Sequence, residues 1–544
     1  MRARDLSHLE TAGCDLLVVG GGIYGLACAY DAASRGLRVA LVDAGDFGSG
    51  ASFNHQKTAH GGLRSLGSGN LRRARESIRE RRALARIAPW LLRPLPFLVG
   101  TYRSIARSRL ALGSAFRLDA WLGRRRNDGV EPELHLPAPR LVSRAAVLRL
   151  FGGIRPEGLT GGAQWYDYQM VESDRLTVAF AEAADRAGAD LANHVEAVGA
   201  LTEGGRVTGM RLRDALTGRT LEVRARLTLN AAGAHAGTVM RMFGVERTLP
   251  LLRAMNLVTS RPASDMALAA PGPSGRMLTL VPWRGRALVG TAQSSTFVAA
   301  EATGPSAADI AAFVAEANSA FPSLRLELSD ITLVHRGVVP AVTGRNGGPD
   351  LRSAPAIIDH TADGVPGALT VVGVKYTTAR GVAEQAINTV GRLLGRPLRA
   401  SRTGVTTLPG AGVADHEALA IEAGRRVGVD LPTGTLRHLT ALYAEATPLV
   451  VQLIADRPDL GQAVAPGVPT LGAEVLHAIR SEMALRLADI VVRRSGLGSA
   501  GRPAPGALAT CARLAAEELG WDAARIADEI ASVERLYEVP STEA

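Results

Sequence analysis

Two lysines stand among 62 basic residues in this chain, Lys375 in GVKYTTAR and Lys57 in FNHQKTAHGGLR. An ammonium is compact, carries rotatable donors and loses its proton more readily on burial, whereas a guanidinium is a planar fork that stays charged. Lysine kept at two positions points to places where amine chemistry matters, against the alternative of chance survival. A second group is Gly20, Gly22 and Gly25, spaced G-x-G-x-x-G, with Asp43 following. Glycines at that spacing let backbone amides approach a pyrophosphate, and an acid roughly 20 residues on binds ribose hydroxyls.

The elements that must position these groups are legible around them. CDLLVVGGGIYGLACAYDAASRGLRVALVDAGDF reads as a strand over 16–19, a glycine turn, a helix over 27–34 stopped by Gly36, and a second strand over 39–42 ending in Asp43. This register predicts a dinucleotide-binding fold rather than a glycine-rich turn, but leaves NAD and FAD open. The motif precedes the glycine-lysine-threonine segment by several hundred residues, which favours a flavoprotein closed from distant pieces. In RARLTLNAAGAHAG a strand over 227–229 runs into Ala231, Ala232 and Gly233, small residues suited either to close cofactor approach or to packing alone.

With 544 residues and 47% hydrophobic content the chain can bury a large core in two to four domains. Cys14, Cys28 and Cys511 lie far apart, without disulfide or metal-ligand spacing, so a reducing, cytoplasmic setting is expected and no metal site. The first residues lack the organisation of a secretory signal, so the start reads as mature. Of the net charge of +10, the segment 64–126 holds sixteen arginines against Glu76, Glu80 and Asp119. Apolar runs with Trp90, Phe97, Phe116 and Trp121 alternate with those arginines, and none reaches the roughly 18 apolar residues of a span. Such a segment suits an anionic membrane face or a solvated helical layer. No nucleic-acid module accompanies the charge.

From FNHQKTAHGGLR onward the chain resembles the FAD-dependent glycerol-3-phosphate dehydrogenases, a branch of the D-amino-acid-oxidase-like flavoproteins. The resemblance runs through APWLLRPLPFLV, WYDYQMVESDRL, NAAGAHA, LVPWRGRALVGTAQ, VVGVKYTTARGVAEQA and VLHAIRSEMALRLADIVVRRSGLG. It implies an α/β fold: a Rossmann-like FAD-binding domain (14–80, 160–240 and 351–400) interleaved with a sheet-based substrate or cap domain (81–159 and 241–350), plus a helical C-terminal domain (408–544). It implies Lys375 beside the flavin ring, Thr377 and Thr378 at its pyrimidine end, and Arg64 as a substrate clamp. Ser52, Val195, Ala232, Gly233 and Gly373 complete the expected cofactor lining, with His60 either there or packing its loop. FAD is expected to be non-covalent, although His55 lies near the position of a covalent histidine in some wider relatives.

Four departures fall around the substrate side. Val339 stands where the family has arginine, with Arg336 nearby as a substitute; Asn256 replaces a histidine, and Ser65 and Ala379 replace tyrosines. An amide has no useful pKa for proton transfer. Three readings follow: oxidation of sn-glycerol 3-phosphate to dihydroxyacetone phosphate with a quinone or other electron acceptor, oxidation of another alcohol or amine, or flavin binding without turnover. Peripheral attachment to the inner face of the cell membrane is a further expectation. The sequence leaves the oligomeric state unknown.

Overall fold

The chain passes back and forth between two sheets, as seen in a computed structural model that describes residues 1–63, 69–103, 109–344, 347–412 and 415–540. The first sheet runs Ala356–Asp359, Ala368–Val372, Thr220–Asn230, Cys14–Val19, Val39–Val42 and Asp190–Ala192. Along this path pairing is parallel except for the edge strand Ala356–Asp359, while Arg206–Asp214 and Val195–Glu203 extend Thr220–Asn230 as an antiparallel ribbon. Strand Cys14–Val19 is buried at every position, as expected of a central parallel strand covered on both faces. The helix Ile23–Ser34 is apolar nearly all round and packs against helices Ser173–Arg186 and Ala379–Leu393. It begins four residues earlier than expected, because Gly22 takes the extended cap conformation directly after the glycine turn.

The second sheet is mostly antiparallel and runs Pro349–Leu351, Ile331–Thr343, Leu251–Thr259, Arg286–Gln293, Met277–Trp283, Ala267–Pro271, Leu92–Tyr102, Leu159–Met170 and Thr58–Ala59. Two of these strands correct the expected domain boundaries. Leu159–Met170, placed with the FAD domain from 160, pairs along its length with Leu92–Tyr102 and so belongs to the second sheet. Thr58–Ala59 pairs with that same strand.

One face of the second sheet, through Leu95, Phe97, Val258, Val281, Trp283, Leu288 and Leu333, shares a continuous core with the helices from 433 to 535. The other face is covered by Ala307–Ala320 and Arg144–Leu150. No helix among the described residues is long and apolar enough to cross a membrane. The arginine-rich segment is also more internal than expected. Phe97 and Phe116 are core residues, and Trp90 is partly buried. Arg81 pairs with Asp167 and Arg126 with Asp119, while Trp121 remains 56% exposed. Two of the apolar runs are a sheet strand and a packed helix, so their side chains turn inward.

Candidate active site

The dinucleotide loop is built from backbone. Gly20 sits at φ +111°, where a Cβ would lie 2.6 Å from the Ala231 carbonyl oxygen; at Gly25 it would lie 1.7 Å from that of Gly20. Only glycine permits this closeness of loop, helix and neighbouring strand end. Gly22 caps the helix without a side chain, and Ser52 Oγ accepts from Ile23 N–H at 2.9 Å. Asp43 accepts from the amides of Gly21 (2.5 Å) and Gly45 (2.7 Å), while burial raises its carboxyl pKa. Val195 N–H donates to the Asp43 carbonyl at 2.7 Å. Ala232 N–H donates to Asn230 Oδ1 (3.1 Å), and Gly233, at φ +58°, opens a short turn. These groups meet where the parallel sheet reverses strand order, the usual crevice for a ligand in such folds.

The segment from Gly373 to Thr378 is fastened to the same helix. Tyr24, inside the glycine motif, donates its hydroxyl to the Lys375 carbonyl at 2.7 Å and accepts from the amides of Val374 and Lys375, both at 3.1 Å. A Cβ on Gly373 would fall 2.3 Å from the Tyr24 ring. Sequence reasoning missed Tyr24, whose partners lie some 350 positions away; an aromatic within G-x-G-x-x-G was the available signal. Lys375 is partly buried, and Thr377 and Thr378 are buried. Thr377 Oγ1 accepts from His60 N–H at 3.2 Å. The His60 ring, about half exposed, has Nδ1 3.1 Å from Asp167 and Nε2 2.8 Å from Thr58 Oγ1. Burial pushes the Asp167 carboxyl upward, but the His60 hydrogen bond and the Arg81 guanidinium bring it below the usual carboxylate range.

Lys57 is fully buried in a left-handed conformation at φ +55°. Its ammonium donates to the Phe53 carbonyl at 2.6 Å and lies over the rings of Phe53 (4.3 Å) and Trp283 (5.1 Å). Burial pulls its pKa down to about 8. Its amide donates to His55 Nδ1 at 3.0 Å, which leaves the ring proton on Nε2. His55 stacks on Tyr376 with ring centroids 4.7 Å apart. Burial, then the Lys57 charge, hold both His55 and the buried His335 well below the ordinary histidine range. Sequence reasoning missed His335.

On the second sheet, buried Asn256 accepts from Thr291 Oγ1 at 2.7 Å, and Thr279 Oγ1 donates to Gln56 Oε1 at 2.7 Å. Asn256 and Gln56 Nε2 flank Gly290, where a Cβ would come within 1.9 and 2.8 Å of them. Gln56 Nε2 is buried with no partner among the described residues. Arg336 sends Nη2 to the carbonyls of Arg535 (3.3 Å) and Leu536 (3.2 Å), on the last helix and its cap. Val339 pairs with Leu252, and Ala379 is buried at a helix start. Arg64 and Ser65 lie outside the described residues.

Residues 15–388 match the family described as FAD dependent oxidoreductase, more than half of the chain. The chain belongs to the FAD-dependent oxidoreductases. Residues 401–526 match the C-terminal domain of alpha-glycerophosphate oxidase. The oxidoreductase is 32% identical over 544 residues to glycerol-3-phosphate dehydrogenase 2 of Mycobacterium tuberculosis, covering 98% of this chain and 89% of the relative. It is 30% identical to the glycerol-3-phosphate dehydrogenase of Synechocystis sp., covering 91% and 90%. Its fold matches the glycerol-3-phosphate dehydrogenase from Bacillus halodurans complexed with FAD, with a TM-score of 0.75, 23% identity, and coverage of 98% and 96%. The close backbone approach at Gly20 and Gly25 leaves the side-chain-free loop that an FAD pyrophosphate requires. The oxidoreductase thus has a flavin fold with the helical domain expected from its sequence.

Proposed function

We propose that this FAD-dependent oxidoreductase oxidises sn-glycerol 3-phosphate to dihydroxyacetone phosphate and passes the electrons to a quinone. The observation that carries this reading is the similarity to the curated glycerol-3-phosphate dehydrogenases across 98% of the chain, through both the flavin fold and the helical domain. Bound FAD supplies a two-electron acceptor for the hydride of the substrate's carbinol carbon. Around it, Lys375 offers an ammonium to negative charge developing at the substrate oxygen or the ring, with Thr377 and Thr378 as fixed donors. Tyr24 supports this role by pinning the backbone that carries Lys375. Arg64 would clamp the phosphate through paired hydrogen bonds, and Asn256 and Arg336 complete the proposed substrate residues.

A second reading, oxidation of another alcohol or an amine, draws support from Arg336 and Val339. The guanidinium of Arg336 bonds to the last helix and its cap, and Val339 has no phosphate donor. Peripheral membrane attachment is part of the proposal: Leu71, Arg72, Arg75, Arg79 and Trp121 are exposed, and the Arg75 guanidinium lies 5.8 Å over the Trp121 ring. Anaerobic mixing of the holoenzyme with glycerol phosphates, hydroxy acids and amines tests the readings. Bleaching of the yellow colour by sn-glycerol 3-phosphate supports the first; bleaching only by another alcohol or an amine replaces it with the second.

A further inference from the structure

The loop from Asp43 to Gly48 closes the ribose side of the dinucleotide fold and is held from two directions. On the cofactor side, Asp43 accepts from Gly21 and Gly45, Gly48 N–H donates to the Gly21 carbonyl (3.0 Å), and His194 N–H donates to that of Gly45 (2.8 Å). On the far side stands the C-terminal domain. Asp46, 1% exposed, accepts two hydrogen bonds from Arg494 (2.9 and 2.7 Å), one from Arg493 (2.6 Å) and one from Asn193 (3.0 Å). Arg493 also donates to Asp489 (2.7 Å), whose other oxygen lies 2.8 Å from His194 Nε2. Arg494, with no exposed surface, donates to the Glu482 carbonyl at 3.1 Å.

The two arginines are consecutive on a π-helical stretch, Asp489–Arg494. Its wider turn brings neighbouring side chains closer in direction than an α-helix would, allowing both to reach one carboxylate. Asp46, His194 and Asp489 have ligand atoms within 4.8 Å of one another. Two guanidiniums already lie on those carboxylates, which makes the cluster an ion-pair clasp. Only Ala44 and Gly45 separate Asp46 from Asp43.

We infer that Arg493 and Arg494 are positioning residues for FAD: by clasping Asp46 they fix the loop that carries Asp43, making the C-terminal domain part of the cofactor site. A carboxylate this deeply buried cannot lose a partner and stay in place, because the remaining charge must find water or another donor. Asp46 moving toward solvent draws Asp43 and Gly45 with it and loosens the Gly21 amide from its acceptor. The inference uses the FAD site alone and does not depend on the substrate.

The test compares Asp46→Asn and Arg493→Met with Glu474→Gln. Glu474 is equally buried in the C-terminal domain, where it accepts from Leu471 N–H (2.7 Å) and Tyr443 Oη (2.9 Å), but it does not touch the 43–48 loop. FAD is stripped from each holoenzyme, its Kd for the folded apoprotein is measured by flavin fluorescence quenching, and the apoprotein's melting is recorded. Asp46→Asn and Arg493→Met are expected to raise the FAD Kd at least tenfold. Glu474→Gln is expected to lower the melting temperature while its Kd stays within twofold of wild type. An unchanged Kd in the clasp variants, or an equal rise in Glu474→Gln, overturns the inference. Should Asp46→Asn yield no folded protein, Arg493→Met decides, because it removes one partner of Asp46 while keeping the carboxylate and the second guanidinium, Arg494, in the buried cluster.

Discussion

The two sheets present their candidate site residues in opposite ways. On the nucleotide side the work falls to main chain: Gly20 and Gly25 bring amides and carbonyls into contacts that exclude any Cβ, Gly22 caps the helix between them, and side chains such as Asp43 and Tyr24 hold the surrounding backbone in place. On the second sheet, side chains from well-separated segments form the surface, with Asn256, Thr279, Thr291 and Gln56 hydrogen-bonded in two pairs. A site made of backbone tolerates almost no substitution, because every atom is already placed by the chain. One made of side chains can change specificity residue by residue while the sheet persists. The departures at Asn256 and Val339 fall on the tolerant side.

Breaking the backbone side gives the largest effect. Gly25→Val places a side chain where even a Cβ would lie 1.7 Å from the Gly20 carbonyl oxygen. The variant should purify colourless and fail to take up added FAD; a yellow protein would show that the glycine cradle is not decisive. Lys375→Met sharpens the contrast from the junction of the two sides. It should keep FAD and slow single-turnover reduction by roughly two to three orders of magnitude, the usual cost of removing one such donor. Lys375→Arg should not restore the rate, since a fork does not replace a compact ammonium; recovery would reduce the role of Lys375 to charge alone.

Lys57 lies at the edge of the second sheet with its ammonium over Phe53 and Trp283, and its variant should act on stability. Its pKa falls from 10.5 to about 8 on folding. The unfolded chain therefore binds the extra proton between about pH 8 and 10.5, and stability rises with pH across that window. Below pH 8 the full cost of burying the ammonium, about 3 kcal/mol, is present. Lys57→Met should remove that part of the rise, so the variant's advantage in denaturant unfolding should shrink from pH 8 to 10.5. A constant difference across the window would place the charge elsewhere. The smallest effect concerns the surface: anionic vesicles should hold the protein at low salt and release it as salt screens the arginines. Trp121→Ala should weaken that binding several-fold, and equal retention on neutral vesicles would remove the membrane proposal.

The same contrast governs what the sequence discloses. The nucleotide loop was legible because its strand, turn, helix and acid are contiguous and each obeys a local rule. The boundary at 160 was not, because strand Leu159–Met170 is assigned by pairing with Leu92–Tyr102, a partner some 60 residues away. The arginine-rich segment was read as more superficial than it is, since the acid that neutralises Arg81 arrives only at Asp167 and Phe97 disappears into a core shared with the C-terminal helices. Tyr24 and the Asp46 clasp were invisible for the same reason. Their chemistry exists only once residues hundreds of positions apart have met, and no local pattern marks either end.

That distance has a consequence for how the protein comes into being. Asp46 emerges from the ribosome early, yet its clasping partner Arg494 lies 448 positions later. At about 5–20 residues per second, roughly 20 seconds to a minute and a half of synthesis separates the two. Once strand Ala368–Val372 has been made, late in that interval, the growing chain can carry a nearly complete nucleotide fold whose ribose-side loop still lacks its anchor. FAD captured before the C-terminal helices dock would be held by an unfinished site, so tight loading belongs to the end of translation, and a chain stopped short of Arg494 would leave its cofactor free to escape.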